Sequence, residues 1–120
     1  MSEMSGPERH RAVLRGIRDL GDDVPGVMKG FGLLHRSAIT DGALSTATKE
    51  LMALAIAIAV HCDGCIAFHV HDAVRAGATK AEVDETIGVA VLMGGAPSVM
   101  YGIEAQRAYD EFAGVSASAD

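Results

Sequence analysis

The sequence predicts an all-α fold, a single-domain bundle of about six helices. Three observations predict it. Apolar residues recur at three- and four-residue spacing along most of the chain. Helix-capping signals punctuate that pattern, and glycines follow the ends of the periodic runs. No segment reads as a strand and no internal repeat suggests a solenoid. At 120 residues the chain is one domain. Its core is expected over about residues 25–112, after an N-terminal helix and turn (1–24) and before a frayed tail (114–120).

In the first helix Val13, Leu14, Ile17 and Leu20 share a face, and Gly21 with Asp22-Asp23 should end it. Arg11, Arg15 and Arg18 form another stripe, read as a solvated face. Pro25 suits the first turn of a second helix carrying Val27, Phe31, Leu34 and Ala38, closed by Gly42. The third segment, about Ser45 to His61, is ambiguous, because Ile56, Ile58 and Val60 alternate with alanine. Three facts favour helix: Ser45 is a good N-cap, the segment is long for a strand, and alanine is a poor strand former. Apolar all round, it is expected to be the central helix, with Leu51–Val60 buried.

A break at His61-Cys62-Asp63-Gly64-Cys65 leads to a fourth helix, about Asp63 to Ala76. Ile66, Val70, Ala73 and Val74 face the core there, and Gly77 is the stop. Thr79 and Glu82 form a capping box for a fifth helix with Val83, Ile87, Ala90 and Val91. Gly94-Gly95-Ala96-Pro97 separates it from a sixth, on which Tyr101, Ala105, Ala108 and Phe112 keep helical spacing.

Composition excludes several functions. A net charge of −6 argues against nucleic acid or an anionic membrane surface as partner. Aromatic residues make up 4% with no Trp, which argues against base-stacking platforms. The longest fully apolar run, Leu51 to Val60, is about half of what a bilayer helix needs. The polar N-terminus has no apolar core of a signal peptide, so a cytoplasmic location is expected. With 49% hydrophobic residues on so short a chain, much apolar surface should lie between subunits of a homo-oligomer.

The chemistry centres on Cys62 and Cys65, a C-x-x-C at the start of a helix. The partial positive charge and free N–H groups of a helix N-terminus stabilise a thiolate. His69 lies one turn after Cys65 on the same face, placed to take the thiol proton. Cys62, three residues before Cys65, is close enough to attack an oxidised Cys65 and close a disulfide. Glu50 opens the most apolar helix and needs a partner if buried. Glu50 and Cys62 are separated by roughly 18 Å of straight helix. If the chain reverses at Asp63-Gly64, the run from Cys62 to His69 returns roughly 10 Å. His69 then comes within several ångströms of Glu50, directly or through one water. Cys65, His69 and Glu50 in that order read as nucleophile, base and orienter of a proton relay.

The pattern Glu50, Cys62, Cys65, His69 and His71, followed by Gly77-Ala78, resembles the alkylhydroperoxidase D (AhpD)-like group of the carboxymuconolactone decarboxylase superfamily. Lys49-Glu50-Leu51-Met52-Ala53-Leu54-Ala55 is similar to its typical helix start. The likeness covers about residues 25–112 and departs at Asp63-Gly64, where some members carry other polar or aromatic residues. It implies an all-α oligomer, a trimer or a hexamer built from it, with a redox-active disulfide and no other cofactor or metal. It also implies a peroxidase or disulfide oxidoreductase acting on small organic hydroperoxides, regenerated by a dithiol or thioredoxin-like reductant. By the same resemblance Cys65 becomes the sulfenic acid, Cys62 donates a proton and then resolves, and His69 with Glu50 forms the relay.

Other readings stand beside this one. Cys62, Cys65 and His69, with Glu50 or His61, could hold zinc, although structural zinc usually joins two separated ligand pairs. The cysteines could also be inert core residues. A cofactor-free decarboxylase or lyase, and a non-enzymatic thiol redox sensor, are the functional alternatives. His71 points about 200° away from His69 around the helix, which suggests an interface or surface role. His61 reads as a solvated histidine at a helix end, and His10 and His35 carry no signal. Met28, Met52, Met93 and Met100 read as packing.

Overall fold

A computed structural model describes residues 4–114, and these form six helices: α1 (Gly6–Asp23), α2 (Pro25–Ile39), α3 (Thr46–Ala59), α4 (Asp63–Arg75), α5 (Lys80–Gly94) and α6 (Ala96–Phe112). The all-α expectation holds, and no described residue lies in a strand. Part of the expected frayed tail, residues 115–120, lies outside the described residues.

The capping signals act as the sequence implies. Ser45 Oγ accepts from the Thr48 N–H, and Thr79 with Glu82 closes a reciprocal capping box. Ser5 and Glu8 form a second box that starts α1. Two boundaries differ from expectation. Helix α1 continues through Gly21 to Asp23, and α2 ends at Ile39, three residues before Gly42. The chain turns at Val24 between them, with Pro25 supplying the first turn of α2.

Helix α3 packs on α4, α5 and α6, and α1 leans on α4 and α6. The core is Leu54 and Ile58 of α3, Ile66, Val70 and Ala73 of α4, Val83 and Ala90 of α5, and Ala105 and Ala108 of α6. Each fully buried Leu, Ile or Val contributes about 1.5–3 kcal/mol by leaving water. Small residues let α6 approach closely: a Cβ on Gly102 would stand 2.6 Å from Ile87 Cγ2.

The expectation that Leu51–Val60 is buried throughout is corrected. Leu54, Ala57 and Ile58 are buried, but Met52, Ile56 and Val60 are 50%, 63% and 64% exposed. An apolar circumference does not bury a helix on every side; neighbours must cover each face, and within one chain they cover one. Met93 and Met100 are likewise exposed, not packed. Helix α2 has no buried residue at all; it rests on α1 and touches α3 at few points.

Candidate thiol site

The reversal between α3 and α4 positions the site. His61 has φ = +61°, the left-handed conformation, and the Cys62 N–H bonds back to the Ala57 carbonyl at 3.0 Å. The turn therefore falls at His61-Cys62, and Asp63-Gly64, expected to form it, occupy the first turn of α4. A left-handed non-glycine residue is uncommon and is held here by its surroundings. The exposed His61 ring stacks on Tyr101 at 4.7 Å. Gly64 makes room for α1: a Cβ there would lie 3.2 Å from Val13 Cγ2.

Cys62 is the N-cap of α4, and its sulfur accepts from the Cys65 N–H at 3.2 Å. The cysteines are joined as a disulfide, with Cα atoms 5.2 Å apart. Cys65 is exposed and Cys62 half-buried. With both sulfurs bonded to each other, a zinc site on Cys62, Cys65 and His69 does not form in this state.

The same reversal carries α4 back along α3. His69 Nδ1 and Glu50 Oε1 meet at 2.7 Å, with the Glu50 side chain 3% exposed. The contact expected within several ångströms is thus direct. A carboxylate this buried is costly unless paired, and the imidazole N–H supplies the pairing bond. It also fixes which nitrogen faces elsewhere.

His69, Cys62 and Cys65 line a cavity of about 470 Å³. Its other walls are Val13, Leu14 and Ile17 of α1, Phe31, Gly32 and His35 of α2, and Gly64 and Phe68 of α4. No lysine or arginine lines it. A thiol pair thus sits in an apolar chamber with a histidine-carboxylate dyad behind it. Periodicity found the α1 and α2 apolar stripes, but nothing in the sequence linked them to the cysteines.

Three histidines differ from their sequence reading. His10 is buried, its ring stacked on His71 at 3.9 Å and edge-on to Phe112 at 5.7 Å. Burial pushes its pKa below the usual histidine value; the neighbouring His71 and Arg11 lower it further and Asp72 opposes them. His71, expected at an interface or the surface, is half-buried, stacked on His10 and bonded through Nδ1 to Asp72 Oδ1 at 2.8 Å. His35 packs edge-on to Phe68 with centroids 5.6 Å apart, and its Nε2 is buried without a hydrogen-bond partner. His10 and His35 are each the lone histidine of their helix, and only the fold brings them to α4.

Comparison with known proteins places the geometry in context. The sequence profile of the carboxymuconolactone decarboxylase family matches residues 25–108. An uncharacterised protein of Cupriavidus necator is 37% identical over 91 residues, covering 76% of this chain and 80% of that one. An uncharacterised protein from the cox locus of Paracoccus denitrificans is 37% identical over 84 residues, covering 70% and 76%. The crystal structure of an apo carboxymuconolactone decarboxylase family protein from Legionella pneumophila is similar with a TM-score of 0.87. It is 42% identical, and the match covers 90% of this chain and 96% of that one. With its paired cysteines and the Glu50–His69 contact, the chain belongs to the carboxymuconolactone decarboxylase family, as an AhpD-like member.

Proposed function

We propose that the protein is a thiol-dependent peroxidase and disulfide oxidoreductase acting on small organic hydroperoxides. The observation that carries this reading is the Cys62–Cys65 disulfide on an apolar cavity that the Glu50-paired His69 also lines.

The cycle starts from the reduced pair. His69, oriented by Glu50, takes the Cys65 proton, and the N-terminus of α4 stabilises the thiolate. The thiolate sulfur attacks one peroxide oxygen. The O–O bond breaks, the alkoxide leaves with a proton from Cys62 as an alcohol, and Cys65 becomes a sulfenic acid. The Cys62 sulfur then attacks the Cys65 sulfur; hydroxide departs, takes a proton and leaves as water, and the disulfide forms. A dithiol or thioredoxin-like reductant returns two electrons and two protons. A reducing cytoplasm suits that regeneration. Copies of the chain are proposed to assemble as a trimer or a hexamer, an assembly supported by exposed Val27, Phe31 and Leu34 on α2.

The decarboxylase or lyase alternative has no use for the cysteine pair, so its presence on the cavity favours the redox reading. The test is consumption of cumene hydroperoxide with dithiothreitol, wild type against Cys65→Ser. Turnover that depends on Cys65 supports the reading. Reversible oxidation without turnover favours the redox sensor, and equal rates in both proteins refute a peroxidase at this thiol.

A further inference from the structure

Glu50 also belongs to a second group of donors. His35 of α2, Glu50 of α3 and Asp72 of α4 each offer an atom within 4.8 Å of the other two. Glu50 is buried, and His35 and Asp72 are half-buried.

Two features separate this group from a chance cluster of surface acids. The His35 Nε2 is buried with no partner, and leaving a buried polar atom unsatisfied is costly. Two carboxylates stand together, one of them shielded from water. A cation among the three residues answers both. It accepts an imidazole lone pair and neutralises the carboxylates. His69 engages Glu50 Oε1 and His71 engages Asp72 Oδ1, which leaves the second oxygen of each carboxylate outside those bonds.

We propose that His35, Glu50 and Asp72 form a binding site for a transition-metal dication of the Zn²⁺ type. Three protein ligands leave a position for water. An open depression of about 490 Å³ reaches two of the three ligands, Glu50 and Asp72, and His35 lines the thiol cavity. The imidazole nitrogen selects Zn²⁺ over Mg²⁺ or Ca²⁺, which prefer oxygen alone. The neighbouring group His10, His71 and Asp72 is as compact, but its imidazoles lie face to face, so their nitrogens do not converge.

The site has a structural and a chemical consequence. It ties α2, which buries no residue of its own, to α3 and α4. It also shares Glu50 with His69, so the loaded protein should deprotonate Cys65 less readily.

The test is calorimetric titration of the full chain with zinc chloride in the disulfide form, where the sulfurs are withdrawn as ligands. Saturable equimolar binding is expected. His35→Ala and Asp72→Asn should each weaken it by about tenfold or more, the loss usual when a metal site is impaired. The double variant Cys62→Ser/Cys65→Ser should bind as wild type does. Circular dichroism establishes that each variant is folded, with His35→Gln replacing any His35→Ala that is not. No saturable binding, binding indifferent to both His35 and Asp72, or binding lost with the cysteines would overturn the site.

Discussion

In the proposed mechanism Glu50 is the residue on which most of the chemistry turns. Its side chain is 3% exposed and 2.7 Å from His69 Nδ1, so in the proposed peroxidase cycle its charge acts through that imidazole. Glu50→Gln keeps the volume and can keep a hydrogen bond, yet removes the charge that holds the ring ready to take a proton. Alkylation of the reduced protein by iodoacetamide should slow by about 10²–10⁴-fold, the scale of a lost general base, with the circular dichroism unchanged. An unchanged rate across the pH range would make Glu50 a satisfied core carboxylate. Glu50, Cys62, Cys65 and His69 were legible in the sequence because two of their separations are single helical turns and the third is one helix and a reversal. His10 and His35 were not legible, because each is the lone histidine of its helix and gains meaning only through neighbours from other helices, and nothing in the sequence tied Asp72 to either of them. His10 yields a second prediction. Its folded pKa lies below the ordinary histidine value through burial, with His71 and Arg11 adding and Asp72 opposing. The unfolded chain therefore binds more protons, and this contribution to stability is complete above about pH 6.5 and is lost as pH falls below it. The thermal midpoint should drop between pH 7.5 and 5.5, and His10→Phe, which keeps the ring contacts, should shrink that drop. Equal drops in both proteins would contradict this role for His10.

At the scale of elements, caps and periodicity placed all six helices, since each end carries its own local chemistry. Burial was harder to read. Helix α3 is apolar on every side, but only the face of Leu54, Ala57 and Ile58 meets α4, α5 and α6. Whether a face is covered depends on partners that no local pattern specifies. The reversal was misplaced for a related reason: Asp63-Gly64 looks like a turn, yet His61 takes the left-handed conformation and leaves both residues to α4. The two faces of α3 give a paired prediction by chemical denaturation. Leu54→Ala should cost about 2–5 kcal/mol, as expected for a fully buried leucine. Ile56→Ala should cost the folded chain only about 0.5 kcal/mol or less. Equal losses would mean that the Ile56 face is covered in solution.

At the scale of the whole molecule, much of the exposed apolar surface lies on α2, which buries no residue, and near the end of α5. Val27, Phe31, Leu33 and Leu34 of α2, with Leu92 and Met93 of α5, are all more than half exposed. Isolated apolar residues on a surface are ordinary, but a whole helix of them marks an interaction surface. Association of copies through α2 predicts that sedimentation finds an oligomer, and that the double variant Phe31→Glu/Leu34→Glu shifts it toward monomer. A wild type that sediments as monomer at micromolar concentration would contradict the assembly. Because α2 also walls the thiol cavity, assembly and peroxide access should change together. The most direct measurement of the central claim is trapping of sulfenic acid with dimedone, after cumene hydroperoxide treatment of the reduced single-cysteine variants, located by mass spectrometry. The label is predicted on Cys65 in Cys62→Ser and is predicted to be absent in Cys65→Ser. A label on Cys62 in Cys65→Ser, with none on Cys65 in Cys62→Ser, would contradict the assignment of Cys65 as the peroxide-reactive thiol.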